Sequence, residues 1–201
     1  MLHIVKDYTH LRSGAFGLSH NQLDQHVRLY AGLVGKLNEI EQKLSHVDRG
    51  AASAVFNEYA ELKRREAFAL NGTYLHELYF DSLGSSPLLE GSALRMAIEK
   101  SFGSEAVWQR DFRAAATSTT GWVLLTLSGI DGLLHTYAVE SNHIGLPVEQ
   151  TILLAADCWE HAYTLDFGMA KQDYLSAFFK HIDWTIVQTR FARLPPVATP
   201  K

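Results

Sequence analysis

Leu23, His26, Tyr30, Leu33 and Leu37 recur at steps of three and four residues, the spacing of one helical face. They predict a helix over residues 22–44, with Ser19 or Asn21 as its cap. Arg49 and Gly50 break the pattern. Phe56, Tyr59, Leu62, Ala69, Tyr74 and Leu78 then supply the apolar side of a second helix over 51–83, bent or interrupted at Asn71 and Gly72. Gly84, Ser85, Ser86 and Pro87 read as a linker. Residues 90–117 predict two short helices parted at Phe102, Gly103 and Ser104. The pattern next turns to strands over 122–127, 133–139 and about 150–156, with a hairpin signal in Asp131-Gly132. Helical spacing returns through Tyr174, Phe178, Ile182 and Ile186 to about Arg190, and Leu194, Pro195 and Pro196 end the fold. Residues 1–18, with Gly14 and Gly17, read as an irregular arm.

Composition narrows the class without choosing a function. The 201 residues are 47% hydrophobic and 20% charged, ordinary for a globular chain with a substantial core. A net charge of -4 gives no support to a nucleic-acid or anionic-membrane partner. No apolar run approaches the roughly 18 residues of a membrane span. The single cysteine, Cys158, rules out an intramolecular disulfide, and the polar N-terminus lacks a signal-peptide core, so a cytoplasmic location is expected.

The chemistry concentrates in residues 157–163, Asp-Cys-Trp-Glu-His-Ala-Tyr. The apolar run before it reads as a buried strand and the residues after it as a helix. Asp157 and His161 are therefore presented where a strand meets a helix and can converge on one metal ion. His26 lies on the inward face of its helix, and His76 sits among Tyr74, Leu75, Leu78, Tyr79 and Phe80. On spacing alone, His26 reads first as a core-edge histidine bonded to a backbone carbonyl, and the ring nitrogen of His76 is open to a metal, a carbonyl or a side chain. Taken together the four offer three nitrogens and one carboxylate oxygen, a set that suits manganese, iron or zinc. A ferritin-like di-iron site fits poorly, because Glu140 and His143 form the one Glu-x-x-His pair and fall in a strand and loop.

With these residues in place the chain resembles the iron/manganese superoxide dismutases over nearly its whole length. Residues 157–163 match that family's D-x-W-E-H-A-[YF] signature, which is highly specific. Asn71 and His76, followed by Glu77, Leu78, Tyr79 and Phe80, resemble the second-helix ligand segment. Gly121 to Leu125 resembles the first strand, while residues 174–179 and 182–184 resemble the closing helix. The resemblance implies an α+β fold: an N-terminal helical hairpin domain over 1–84, then a C-terminal α/β domain over 85–201 with a three-stranded antiparallel sheet. It implies one iron or manganese ion per subunit held by His26, His76, Asp157 and His161, with Trp122, Trp159 and Tyr163 around it. It implies a homodimer, or a tetramer, in which Glu160 reaches the partner's ligand histidine, with the superoxide anion as substrate.

The sequence also departs from that pattern. The family usually carries a gateway tyrosine two helical turns after the first histidine; here Leu33 or Val34 takes its place, and Tyr30, one turn after His26, reads equally as a phenol that stands in or as a core tyrosine. Gln25 rivals His26 for the ligand position, but imidazole is the far better donor. Gly72 stands four residues before His76, where iron-type members often place a glutamine. The group bonding the solvent beside the metal is then expected from the second-to-third-strand connection, with His143 favoured and Asn142 next to it. Thr164 replaces a second aromatic found in many members. The rival expectation is a weakly active or non-catalytic metal-binding homologue with a structural or interaction role.

Overall fold

The computed structural model describes residues 2–13 and 16–193. The expectations for Gly14 and for Leu194, Pro195 and Pro196 lie outside the described residues. Helix α1, His20–His46, is capped by Ser19, whose hydroxyl accepts from the Gln22 amide, so the first of the two candidate caps is the one used. Helix α2, Glu58–Asp81, starts later than the apolar pattern predicts. Asn57 caps it through the Ala60 amide, and Val55 and Phe56 before it are exposed, so Phe56 belongs to the loop and not to a buried stripe. The helix runs unbroken through Asn71 and Gly72. Tertiary packing overrides the low helix propensity of that pair.

Helices α3, Ala93–Phe102, and α4, Glu105–Ser118, divide where expected. Gly103 adopts φ +86°, and the Ser104 hydroxyl caps α4. Strands β1, Trp122–Ser128, β2, Leu134–Val139, and β3, Gln150–Asp157, form one antiparallel sheet in the order β2-β1-β3. Central β1 is buried along its whole length, which is why its sequence reads as continuous apolar residues and not as alternation. Its register sets Trp122 opposite Asp157.

A 3-10 turn, Glu160–Ala162, and the single-turn helix α5, Thr164–Phe167, follow the sheet. The closing stretch is two helices, α6, Lys171–Lys180, and α7, Trp184–Ala192, where the periodicity had predicted one continuous face. Tertiary pairing breaks it. The Gly84 amide donates to the His181 carbonyl and the Asp183 amide to the Ser82 carbonyl, drawing 181–183 out beside residues 82–84. Ile182 remains buried there, and the Asp183 carboxylate caps α7. Among the described residues, no helix is long and apolar enough to cross a membrane.

Candidate metal centre

Four elements deliver one ligand-type side chain each: α1 His26, α2 His76, the end of β3 Asp157, and the 3-10 turn His161. Their donor atoms all lie within 4.8 Å of one another. That is close to the spread of about 4 Å allowed for donors roughly 2 Å from a common ion. Asp157 Oδ2 is the focus, with Nε2 of His26 at 2.9 Å, of His161 at 3.2 Å and of His76 at 3.5 Å. His26, His76 and Asp157 are buried, and His161 is partly exposed. Gln25, the rival on α1, is exposed.

The protonation pattern tests whether an ion fits. His76 Nδ1 lies 2.6 Å from the Gly72 carbonyl, which can only accept, so Nδ1 carries the proton. Nε2 therefore presents a lone pair, and it is buried without a hydrogen-bond partner. A lone pair aimed at a buried carboxylate is unfavourable unless a cation lies between them. Burial holds His26 below the ordinary imidazole range and brings His76 down to about 4. Burial opposes ionisation of Asp157, but its bonds with His161 and His26 outweigh that, and its carboxyl stays well below the usual range. His26 and His76 are thus held neutral and Asp157 ionised, and with the His161 imidazole they make a donor set of three nitrogens and one carboxylate oxygen suited to iron or manganese.

Aromatic residues wall the cluster. Trp122 meets His76 edge-on at 4.9 Å, Phe80 meets His26 edge-on at 4.8 Å, and Trp159 stacks on His161 at 6.2 Å. Tyr163 stands a layer further out, stacked on Tyr174 at 5.0 Å. The Tyr174 hydroxyl donates to the Asp157 carbonyl at 2.7 Å and so holds the end of β3. Glu160 points to solvent.

The β2–β3 connection sends Asn142 inward and not His143. Ser141 and Ile144 pair across a tight turn, leaving 142 and 143 at its corners. Asn142 is buried; its Oδ1 accepts from the Trp122 indole at 2.9 Å, and its amide nitrogen faces the Phe68 carbonyl at 3.3 Å. Gly72 leaves the room for this, since a Cβ there would collide with Asn142 Nδ2 and meet Leu33 Cδ1 at 3.1 Å. The favoured choice, His143, is exposed and packed edge-on against Phe68. Tyr30 lies near the cluster, its ring 6.4 Å from that of His76. Its hydroxyl turns away, donating to Glu77 at 2.9 Å and accepting from the Lys6 amide at 3.0 Å. Burial and the Glu77 carboxylate push this phenol above its ordinary range. Val34 is buried and apolar, and no phenol replaces the missing gateway tyrosine there.

Sequence reasoning assigned no role to Gln22. It is fully buried one turn before His26; Nε2 donates to the His161 carbonyl at 2.6 Å, and Oε1 accepts from the Leu165 amide at 3.1 Å. The signal for it was a polar residue four positions before a ligand, on the same inward face.

A helical pair over a three-stranded antiparallel sheet, with three histidines and an aspartate converging between them, defines a protein built around a mononuclear metal site. Residues 90–190 match the family model for iron/manganese superoxide dismutases, C-terminal domain. The chain is 42% identical over 181 residues to the superoxide dismutase [Fe] of Cupriavidus metallidurans, covering 88% of this chain and 89% of that protein. It is 34% identical over 198 residues to the superoxide dismutase [Fe] of Aquifex aeolicus, covering 96% and 93%. It is 32% identical over 166 residues to superoxide dismutase [Mn] 2 of Haloferax volcanii, covering 81% and 80%. The chain belongs to the iron/manganese superoxide dismutase family.

Proposed function

We propose that the protein disproportionates superoxide to dioxygen and hydrogen peroxide, with iron or manganese held by His26, His76, Asp157 and His161. The observation that carries this reading is the convergence of three imidazole nitrogens on one buried carboxylate, with His76 Nε2 left unpartnered. Bound there, the ion supplies a one-electron couple between its +2 and +3 states. The chain's own residues do the rest. Asp157 offsets part of the ion's charge, so the pocket stays attractive to an anion. Trp122 and Phe80 close the inner side, and His161 is the one ligand-type residue of the four left partly exposed. Asn142 fixes the Trp122 indole and is the polar side chain we assign to the place foreseen for His143. The test is superoxide consumption by metal-loaded protein beside His161→Ala; equal rates would overturn the reading.

We also read the protein as a homodimer. Glu160 is exposed beside the site, and among the described residues its carboxylate has no partner in its own chain. Light scattering should give twice the chain mass, with Glu160→Ala weakening the association. The single buried Cys158 supports a cytoplasmic location, to be checked by cell fractionation.

A further inference from the structure

Two of the four ligand-type residues reach the site from separate helices, so the phase of α1 against α2 decides where His26 stands relative to His76. Further along the hairpin that contact is apolar, made by Leu37, Ile40, Leu44 and Ala69. Apolar burial is non-directional and tolerates small slides and rotations. Near the site the contact changes character. The Tyr30 hydroxyl, one turn after His26, donates to Oε1 of Glu77, the residue next to His76, at 2.9 Å. Among the described residues, no other side-chain hydrogen bond joins α1 to α2. The N-terminal arm completes the knot: the Lys6 amide donates to the Tyr30 hydroxyl at 3.0 Å, and the Lys6 ammonium sits 2.9 Å from Glu77 Oε2 and 3.2 Å from Asp81 Oδ2. Tyr30 is fully buried and Glu77 is buried, so the bond is shielded from water and directional.

We propose that Glu77 is a positioning residue: with Tyr30 and Lys6 it locks the phase of α1 against α2 and so sets how tightly His26 and His76 hold the ion. This rests on the reading of the cluster as a metal centre. It also gives Tyr30 a part other than proton delivery. The carboxylate is placed one residue after a ligand and is neutralised from outside by a lysine of the arm. Loss of the arm contact therefore reaches the site through the Tyr30–Glu77 pair.

The experiment measures metal release into excess chelator from full-length, iron-loaded protein, together with its visible absorption and the denaturation midpoint of the metal-free form. Tyr30→Phe and Glu77→Ala should each release iron about 10-fold faster or more, as expected for groups that orient ligands, and should shift the iron absorption band. The double variant should be little worse than either single one, because both remove the same bond. Lys6→Met should have a smaller effect, since the backbone amide still donates. A purely structural role would lower the metal-free midpoint and leave the band unmoved. Release within twofold of wild type with an unshifted band, or additive effects, would overturn the proposal while the metal centre stands. Wild-type protein that takes up no ion would overturn both. If Glu77→Ala fails to fold, Tyr30→Phe, which keeps the ring in its packed place, decides.

Discussion

The two halves of the metal centre are built differently. Asp157 and His161 are four residues apart, on a strand end and the turn that follows it, and local backbone places them together. Tyr174 holds the Asp157 carbonyl, and the Trp159 amide donates to Oδ1 of the same aspartate at 2.9 Å. His26 and His76 come from two helices, and only tertiary contacts decide that they meet. The family signature is intact in the local half. The departures at Leu33, Val34, Tyr30 and Gly72 lie in the helical half, and Thr164 alone falls beside the local half, just outside the signature. A site tied locally survives change elsewhere, whereas a site assembled between helices needs each substitution answered by another. Asn142 is one such answer, filling the space beside Gly72.

Four changes separate the halves, from the largest expected effect to the smallest. His161→Ala should abolish stoichiometric metal and lower superoxide consumption by at least about 100-fold, read by elemental analysis and a rate assay. If His76→Ala kept its metal while His161→Ala lost it, the helical half would be dispensable and the comparison would fail. Gly72→Ala should destabilise the protein by about 1–3 kcal/mol in denaturant, because the new methyl group displaces the Asn142 amide. In a chain that already carries Asn142→Ala the same change should cost much less, because the amide it displaces is gone, whereas a simple helix-propensity effect would be the same in both backgrounds. Gln22→Leu should cost about 1–2 kcal/mol by unpairing the His161 carbonyl and the Leu165 amide, a tie that joins α1 to the local half. Leu33→Tyr, which returns a phenol near the gateway, should raise turnover several-fold with no change in metal content. An unchanged rate would place the limitation elsewhere.

By itself the sequence determined the order of elements, the buried β1 and the 157–163 motif, because each rests on short-range periodicity or on neighbours a few residues apart. It also put His26 and His76 on inward faces. Other features required the tertiary structure. Whether Asn142 or His143 turns inward depends on a two-residue corner whose register no local pattern sets. The break between α6 and α7 comes from pairing with residues about a hundred positions earlier, against a periodicity that continues across it. Tyr30 shares the face of His26, so the pattern could offer it as a proton donor; only the arrival of Glu77 and Lys6 from other segments shows its hydroxyl already committed. Helical period places a side chain on a face, but the partner that claims its polar atom comes from elsewhere in the chain, and that choice is made when the segments pack.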